Sequence, residues 1–253
     1  MEISRRHLEF KIAYIRHQLS LIPHGFFKSI GCKDYVYLFF DPADTKVTRA
    51  NKRRIALTSK RGKQLSEQVK KYVELKGQLD LLLKEWKTKY RDEPRDIQYP
   101  LRKKRRDRFD YAFFRDAIPN QETHKNLTPI DHNGHIFFSK NEVVGAQIVE
   151  KLEYEYKAGV RIVFDQFTEF CPDIIFYVPE IDKVILMEID GAMDKVSYIT
   201  KSYHNTAACV INELVEMKDF IVVRIGSKYE VSAVQIENMI HMAIEAAIDD
   251  IIV

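Results

Sequence analysis

The chain has 253 residues, of which 45% are apolar and 30% are charged, as is typical of a globular protein with one or two domains. No apolar run approaches the ~18 residues of a membrane helix, and the first residues do not resemble a secretory signal. Cys32, Cys171 and Cys209 lie far apart, which argues against a disulfide scaffold or a zinc knuckle and favours a reducing, cytoplasmic location.

The net charge of +3 conceals an asymmetry between the two parts of the chain. Residues 1–138 carry 30 Lys and Arg against 17 Asp and Glu, whereas residues 139–253 carry 10 against 20. The basic part is typical of a surface that meets a polyanion, although the two parts could instead simply attract each other.

The first 90 residues predict a helical arm that contains a small β-hairpin. Apolar residues spaced by three and four predict one helix over 3–22 and a longer one over 62–90, packed antiparallel. Between them, two β-rich stretches flank residues 31–34 and predict the hairpin. We interpret these apolar stripes as helix packing, and they also allow a homodimer through the arm.

A basic cluster follows the arm. Six of the seven residues from 102 to 108 are basic: Arg102, Lys103, Lys104, Arg105, Arg106 and Arg108. Such a cluster binds phosphate, acts as a localisation patch, or forms a solvated surface. The aromatic residues that follow, over 109–114, are more typical of a core anchor than of a base-stacking surface.

From Ser139 the pattern becomes α-β-β-β-α-β-α, which favours an α+β fold with a mixed sheet flanked by helices. A capping box, Ser139 with Glu142, starts the first helix. Strands are predicted over 154–163, 173–178, 183–190 and 220–225, and the later helices over 196–217 and 231–251.

Three carboxylates stand at the ends of two neighbouring predicted strands. Asp173 opens one strand, and Glu188 and Asp190 close the next. Carboxylates crowded in this way repel each other unless a hard divalent cation lies between them. A cation held so is a common device for hydrolysing phosphodiesters, so the pattern predicts a Mg²⁺ or Mn²⁺ site.

The same residues resemble the core of the PD-(D/E)XK nuclease superfamily, a restriction-endonuclease-like fold. More narrowly, the chain is similar to a group of uncharacterised bacterial and phage proteins with an S-K-x-E helix, a PDF-like strand and an E-x-x-G-x-M-D turn. The matching segments are residues 138–143, Pro172-Asp173, residues 188–194, Tyr198 and, in the arm, residues 22–26.

This resemblance implies roles for individual residues. Asp173 is the central metal ligand, Glu188 the second ligand, and Glu142 the upstream helix acid. For Glu142, its position in the first helical turn leaves a capping role equally open.

The chain departs from the superfamily pattern at Asp190, where the motif has a lysine that orients the attacking water. The resemblance and the chemistry suggest two ways in which the role of this lysine could be filled. Lys201 could reach back from the following helix, or Asp190 could add an oxygen ligand in a site with two metal ions. Alternatively, the fold has lost catalysis and only binds nucleic acid.

The sequence therefore predicts a basic arm over 1–92, a basic linker region over 93–135 and a nuclease-like domain over 136–253. The predicted function is metal-dependent hydrolysis of nucleic acid, with DNA favoured over RNA and no membrane partner. The alternative is a catalytically inactive nucleic-acid-binding or interaction protein.

Overall fold

The structure, a computed structural model, describes residues 3–30, 33–39, 52–104, 107–124, 127–165, 168–191, 194–226 and 231–252. The chain divides into two compact units. Leu8–Pro100 form the N-terminal unit, and Met1–His7 with Leu101–Val253 form the C-terminal unit. Residues 101–135, predicted as part of a linker region, belong to the C-terminal unit.

The N-terminal unit combines helices with a three-stranded antiparallel sheet in the order β1-β2-β3. Its elements are α1 (Arg5–Ser20), β1 (Gly25–Ile30), β2 (Lys33–Phe39), β3 (Lys52–Ala56) and α2 (Lys60–Lys89). The predicted hairpin of β1 and β2 is confirmed, while its turn at residues 31–32 lies outside the described residues. The third strand was not predicted.

The long helix α2 begins where Ser59 Oγ accepts a hydrogen bond from the backbone N–H of Gly62, at 3.0 Å. It packs mainly on the sheet, with Val69 against Gly25 of β1. The predicted antiparallel packing of α2 on α1 is therefore not its main contact. In α1, Glu9 instead pairs with Arg95, at 2.6 Å. Residues 52–56 add to this sheet a third strand that the local pattern did not indicate.

The C-terminal unit has 14 α-helices and β-strands among the described residues. They are β4 (Arg102–Lys103), α3 (Tyr111–Asp116), β5 (Ile130–His132), β6 (His135–Phe137), α4 (Lys140–Lys151), β7 (Glu155–Ala158), β8 (Ile162–Val163), β9 (Glu169–Phe170), β10 (Ile174–Val178), β11 (Lys183–Asp190), α5 (Val196–Ile211), β12 (Phe220–Arg224), α6 (Ala233–Ile248) and β13 (Ile251–Ile252).

A mixed four-stranded sheet in the order β12-β11-β10-β7 forms the centre of this unit. β11 runs parallel to β12 and antiparallel to β10, and all eight of its residues are buried. On one face, α4 approaches so closely that a Cβ on Gly145 would lie 2.5 Å from Ile189 Cδ1. The predicted α+β class, with a mixed sheet flanked by helices, is confirmed at this level.

The other face of the sheet carries a hydrophobic cluster that includes Phe109 and Phe114, both less than 5% exposed. Phe109 and Phe114 are therefore core anchors, as favoured by the sequence, whereas Tyr111 between them is 50% exposed. The cluster also contains Leu186 of β11 and Cys209 of α5. Burial from both sides explains why β11 has a continuous apolar pattern interrupted only near its ends.

Three predicted boundaries are wrong. The strand predicted over 154–163 is interrupted at Gly159, whose φ of +55° an extended strand cannot contain. The helix predicted over 196–217 ends at Ile211, before Glu213 at φ +65°. The last helix ends at Ile248 because the chain then pairs, through β13, with β4.

Candidate metal-dependent active site

The register of β10 and β11 places Asp173 opposite Glu188. Ile174 pairs with Met187, so Asp173, one residue before β10, faces Glu188. The backbone N–H of Ile189 donates to Asp173 Oδ2 at 2.6 Å, which fixes the carboxylate at this edge of the sheet. The pairing register of the two strands therefore places these two acids opposite each other, as the sequence predicts.

Glu188 and Asp190 are two residues apart on β11 and therefore point to the same face, toward α5. They are 4% and 8% exposed. Asn205 of α5 donates from Nδ2 to Glu188 Oε1 at 3.1 Å. Glu188 Oε2 and Asp190 Oδ2 are buried without a hydrogen-bond partner, and a buried carboxylate oxygen in that state is costly.

Glu142, on the first turn of α4, caps its own helix. Its backbone N–H donates to Ser139 Oγ at 3.2 Å, and its Oε2 accepts a hydrogen bond from the N–H of Phe138 at 2.8 Å. The capping role left open by the sequence is therefore present. The side chain is also 9% exposed and lines the same cavity as the other acids.

A single cavity of about 590 Å³ brings all five predicted catalytic residues together. These are Glu142, Asp173, Glu188, Asp190 and Lys201. They come from α4, from the start of β10, from the end of β11 and from α5, so the cavity lies at the edge of the sheet where β11 ends. The site is wholly within the C-terminal unit.

Desolvation and mutual repulsion favour the protonated carboxyls in this cavity. Burial, and then the charges of Glu188 and Glu142, hold the pKa of Asp173 well above its ordinary value. Burial raises the pKa of Glu188 to about 8, while the charge of Lys201 acts in the opposite direction. The pKa of Glu142 is also raised, chiefly by burial.

The pKa of Lys201 is also raised, but for a lysine this favours the charged form. Burial alone would lower its pKa, but the carboxylates of Glu188 and Asp173 outweigh that effect and raise it. The lysine therefore remains a cation beside the acids. It stands in α5, one turn before Asn205, and lines the same cavity as the acids.

Two further residues of the cavity were missed by the sequence analysis. Glu122 and His124 lie in the segment before β5, and Glu122 Oε1 is 2.7 Å from His124 Nε2. The segment is anchored by its neighbour Asn120, whose N–H donates to the carbonyl of Ala158 at 2.8 Å. No motif marks this position, because it reaches the site only through contacts distant in sequence.

Gly159, at the end of β7, explains how this segment comes near the acids. A Cβ at Gly159 would lie 3.2 Å from Glu122 Cβ, and its positive φ disfavours other residues. Its N–H donates to the carbonyl of Asp173 at 3.0 Å. One glycine thus connects the segment of Glu122 with the strand of Asp173.

The donor chemistry of the cavity fits a hard divalent cation, because it supplies carboxylate oxygens, two of them buried and unpaired. As the side chains are placed, however, no group of three or more His, Cys, Asp or Glu side chains among the described residues meets the geometry of a metal centre. Without a cation, neighbouring carboxyls are expected to lie apart or to bind protons, because their negative charges repel each other. Binding of a cation would therefore require side-chain rotation.

The predicted nucleic-acid cluster is partly engaged in contacts within the C-terminal unit. Lys103 and Lys104 donate to the backbone carbonyls of Asp182 and Asp249, at 2.5 and 2.6 Å. The Arg108 guanidinium lies over the ring of Phe164, and Arg102 is exposed in β4. Arg105 and Arg106 lie outside the described residues.

No helix in the parts of the chain that the structure describes is long and apolar enough to cross a membrane. Comparison of the chain with protein-family models, with curated proteins and with solved structures found no match. The resemblance to PD-(D/E)XK nucleases accordingly stays a prediction, and the function is argued from the cavity.

Proposed function

We propose that the C-terminal unit is a metal-dependent nuclease of the PD-(D/E)XK type, which hydrolyses phosphodiester bonds of nucleic acid with Mg²⁺ or Mn²⁺. The observation that carries the proposal is the pair of buried, unpaired oxygens, Glu188 Oε2 and Asp190 Oδ2, of two residues that line one cavity with Asp173. Buried carboxylates without partners are expensive, and a cation is the partner that suits an all-oxygen donor set.

Asp173 and Glu188 would hold the ion, Glu142 would assist directly or through water, and Asp190 would add an oxygen or orient water. A bound divalent ion supplies Lewis acidity at the phosphoryl oxygen and a lower pKa for a coordinated water. The hydrogen bonds from Ile189 and Asn205 orient the carboxylates of Asp173 and Glu188.

Lys201 would complete the charge balance. In the proposed reaction its ammonium group offsets the negative charge that develops on the scissile phosphate, as the lysine of the superfamily motif does. Because its pKa is raised by the neighbouring carboxylates, the group stays charged at neutral pH. Nucleic acid would be held mainly by basic residues of the arm and of residues 102–108. With Cys171 and Cys209 as free thiols, a cytoplasmic location is part of the proposal.

The test is incubation of plasmid DNA, single-stranded DNA and RNA with Mn²⁺ or Mg²⁺. The wild type is compared with Glu188→Gln, Asp173→Asn and a control, Glu169→Gln, whose carboxylate pairs with Arg161 on the surface. We expect cleavage that needs the metal, falls at least 100-fold in the two site variants and is unchanged in the control. Equal cleavage by all four proteins, or cleavage without metal, would contradict the assignment.

A catalytically silent nucleic-acid-binding protein is the second candidate. It is favoured by Asp190 at the position of the motif lysine and by the lack of a three-residue metal group among the described side chains. This candidate predicts full binding of nucleic acid, no cleavage with any divalent ion, and no effect of Asp173→Asn on binding.

A further inference from the structure

We propose that the cavity admits one unpaired nucleotide, so that the substrate is single-stranded nucleic acid or a nucleotide displaced from a duplex. This inference rests on the proposed function and specifies its substrate class. It depends on three observations: the depth of the acids, the size of the cavity, and the apolar character of one wall.

The acids lie too deep to be reached by a phosphate that stays outside the protein surface. Glu142, Glu188 and Asp190 are each less than 10% exposed. The scissile phosphate has to enter the cavity to approach them. A paired duplex presents its phosphates on a broad, stiff surface, so a flexible single strand or a displaced nucleotide enters a cavity of this kind more easily.

The size of the cavity agrees with a single nucleotide. Its volume of about 590 Å³ lies within the usual range of small-molecule sites, roughly 300–1,000 Å³. It is far smaller than a groove that holds a duplex.

One wall of the cavity offers a surface for a base. It consists of Phe138, His124 and Leu127, of which Leu127 is 51% exposed. The rings of His124 and Phe138 meet edge to face, with centroids 4.6 Å apart and planes inclined by 72°. Bases of any identity stack on aromatic faces, which gives binding without sequence preference.

One hydrogen bond connects the apolar wall to the acids, and a second holds the ring of His124 within that wall. The Phe138 N–H donates to Glu142 Oε2 at 2.8 Å, and His124 is held by Glu122 at 2.7 Å. A base on this wall would therefore lie at a fixed distance from the carboxylates, and its own phosphate could reach them. The aromatic ring and the acid act on the same nucleotide.

The experiment measures binding and cleavage of fluorescently labelled oligonucleotides: a single strand, a blunt duplex of the same sequence, and that duplex with one bulged nucleotide. Each is made as DNA and as RNA. Binding is followed by anisotropy in Ca²⁺ and cleavage in Mn²⁺. The variants are Phe138→Ala and Phe138→Leu, which keeps apolar volume but removes the ring. Tyr111→Ala is the control, since Tyr111 is 50% exposed and adjoins Asp182, at the other end of β11.

We expect the single strand and the bulged duplex to bind at least tenfold more tightly than the blunt duplex. Removal of the Phe138 ring weakens single-strand binding about tenfold, the effect of losing one stacked base, in both variants and not in Tyr111→Ala. Equal affinity for blunt duplex and single strand, or unchanged binding by a folded Phe138→Leu protein, overturns the inference. Selective, ring-dependent binding without any cleavage supports this inference and contradicts the proposed hydrolysis instead.

Discussion

Asn205 Nδ2 donates to Oε1 of Glu188 at 3.1 Å and leaves Oε2 of the same carboxylate buried without a partner. One oxygen is thus fixed by the protein, and the other would be stabilised by a proton or a cation. The hydrogen bond links α5 to the end of β11 and leaves Oε2 as the oxygen that could bind a cation.

Replacement of Asn205 tests whether this orientation matters. Partners that orient a metal-binding carboxylate typically change metal affinity or activity by about 10- to 100-fold when they are removed. We expect Asn205→Ala to raise the Mn²⁺ concentration for half-maximal cleavage by at least tenfold. A Mn²⁺ titration measures it, with Val210→Ala, exposed on the same helix, as the control. Equal titration curves would show that Asn205 does not orient Glu188.

The raised pKa of Glu188 predicts that the stability of the folded protein depends on pH. Its pKa is about 8 in the folded protein, against an ordinary value of 4.5, so the folded state binds its proton more tightly than the unfolded state does. Stability is therefore greatest below pH 4.5 as far as this group is concerned, and it falls as the pH rises from 4.5 to 8. At about 1.4 kcal/mol per pKa unit, the loss is on the order of 5 kcal/mol.

Thermal unfolding between pH 5 and pH 8 measures this loss. We expect the melting temperature to fall by several °C in the wild type and by less in Glu188→Gln, which cannot ionise. At pH 8, Mn²⁺ should raise the melting temperature of the wild type more than that of the variant. A wild type with a flat profile, or one that Mn²⁺ leaves unchanged at pH 8, would contradict the assignment.

Two glycines of α2 predict opposite effects of the same substitution. A Cβ at Gly62 would lie 2.0 Å from the carbonyl oxygen of Ala56, a backbone atom that cannot give way, whereas a Cβ at Gly77 meets nothing within 4 Å. We expect Gly62→Ala to destabilise the N-terminal unit by more than about 2 kcal/mol, and Gly77→Ala to stabilise it by about 0.5–1 kcal/mol. Urea unfolding followed by circular dichroism measures both. A destabilising Gly77→Ala would mean that the exposed face of α2 is covered.

Lys183, at the start of β11, predicts a strong stability effect far from the cavity. Its Nζ lies 2.6 Å from Asp219 Oδ1 and 3.1 Å from Asp107 Oδ2, and its side chain is 6% exposed. Because Lys183→Met leaves the buried carboxylate of Asp219 without its cation, we expect a loss of about 3–5 kcal/mol. Chemical denaturation tests it, and addition of Asp219→Asn should recover part of the loss. A loss that does not shrink in the double variant would refute the ion-pair explanation.

Binding of nucleic acid should weaken steeply with salt if basic residues supply the affinity. Each neutralised phosphate contributes about −0.7 to −0.9 to the slope of log K against log salt concentration. Exchange of Lys70 and Lys71, two exposed residues of α2, for Gln should make the slope shallower by one to two. Anisotropy titrations at several salt concentrations measure the slope. A slope that stays the same would exclude this face of α2 from the interface.

The amino-acid sequence alone determined most elements that depend on neighbours in the chain. The helix after Ser139 and the strands at 174–178 and 183–190 follow from capping chemistry and from apolar patterns that extend over a few residues. The nearness of Asp173 to Glu188 could also be predicted, because a short turn between two strands allows few registers.

Only the tertiary structure decided which other residues reach the cavity. Glu122, His124 and Asn205 carry no local signal, and they approach the acids through backbone pairing and helix packing between distant segments. The strand over 52–56, the pairing of β13 with β4 and the break at Gly159 have the same origin. The apolar periodicity of the sequence indicates which side of an element is buried. The element that packs against that side depends on contacts between distant segments of the chain.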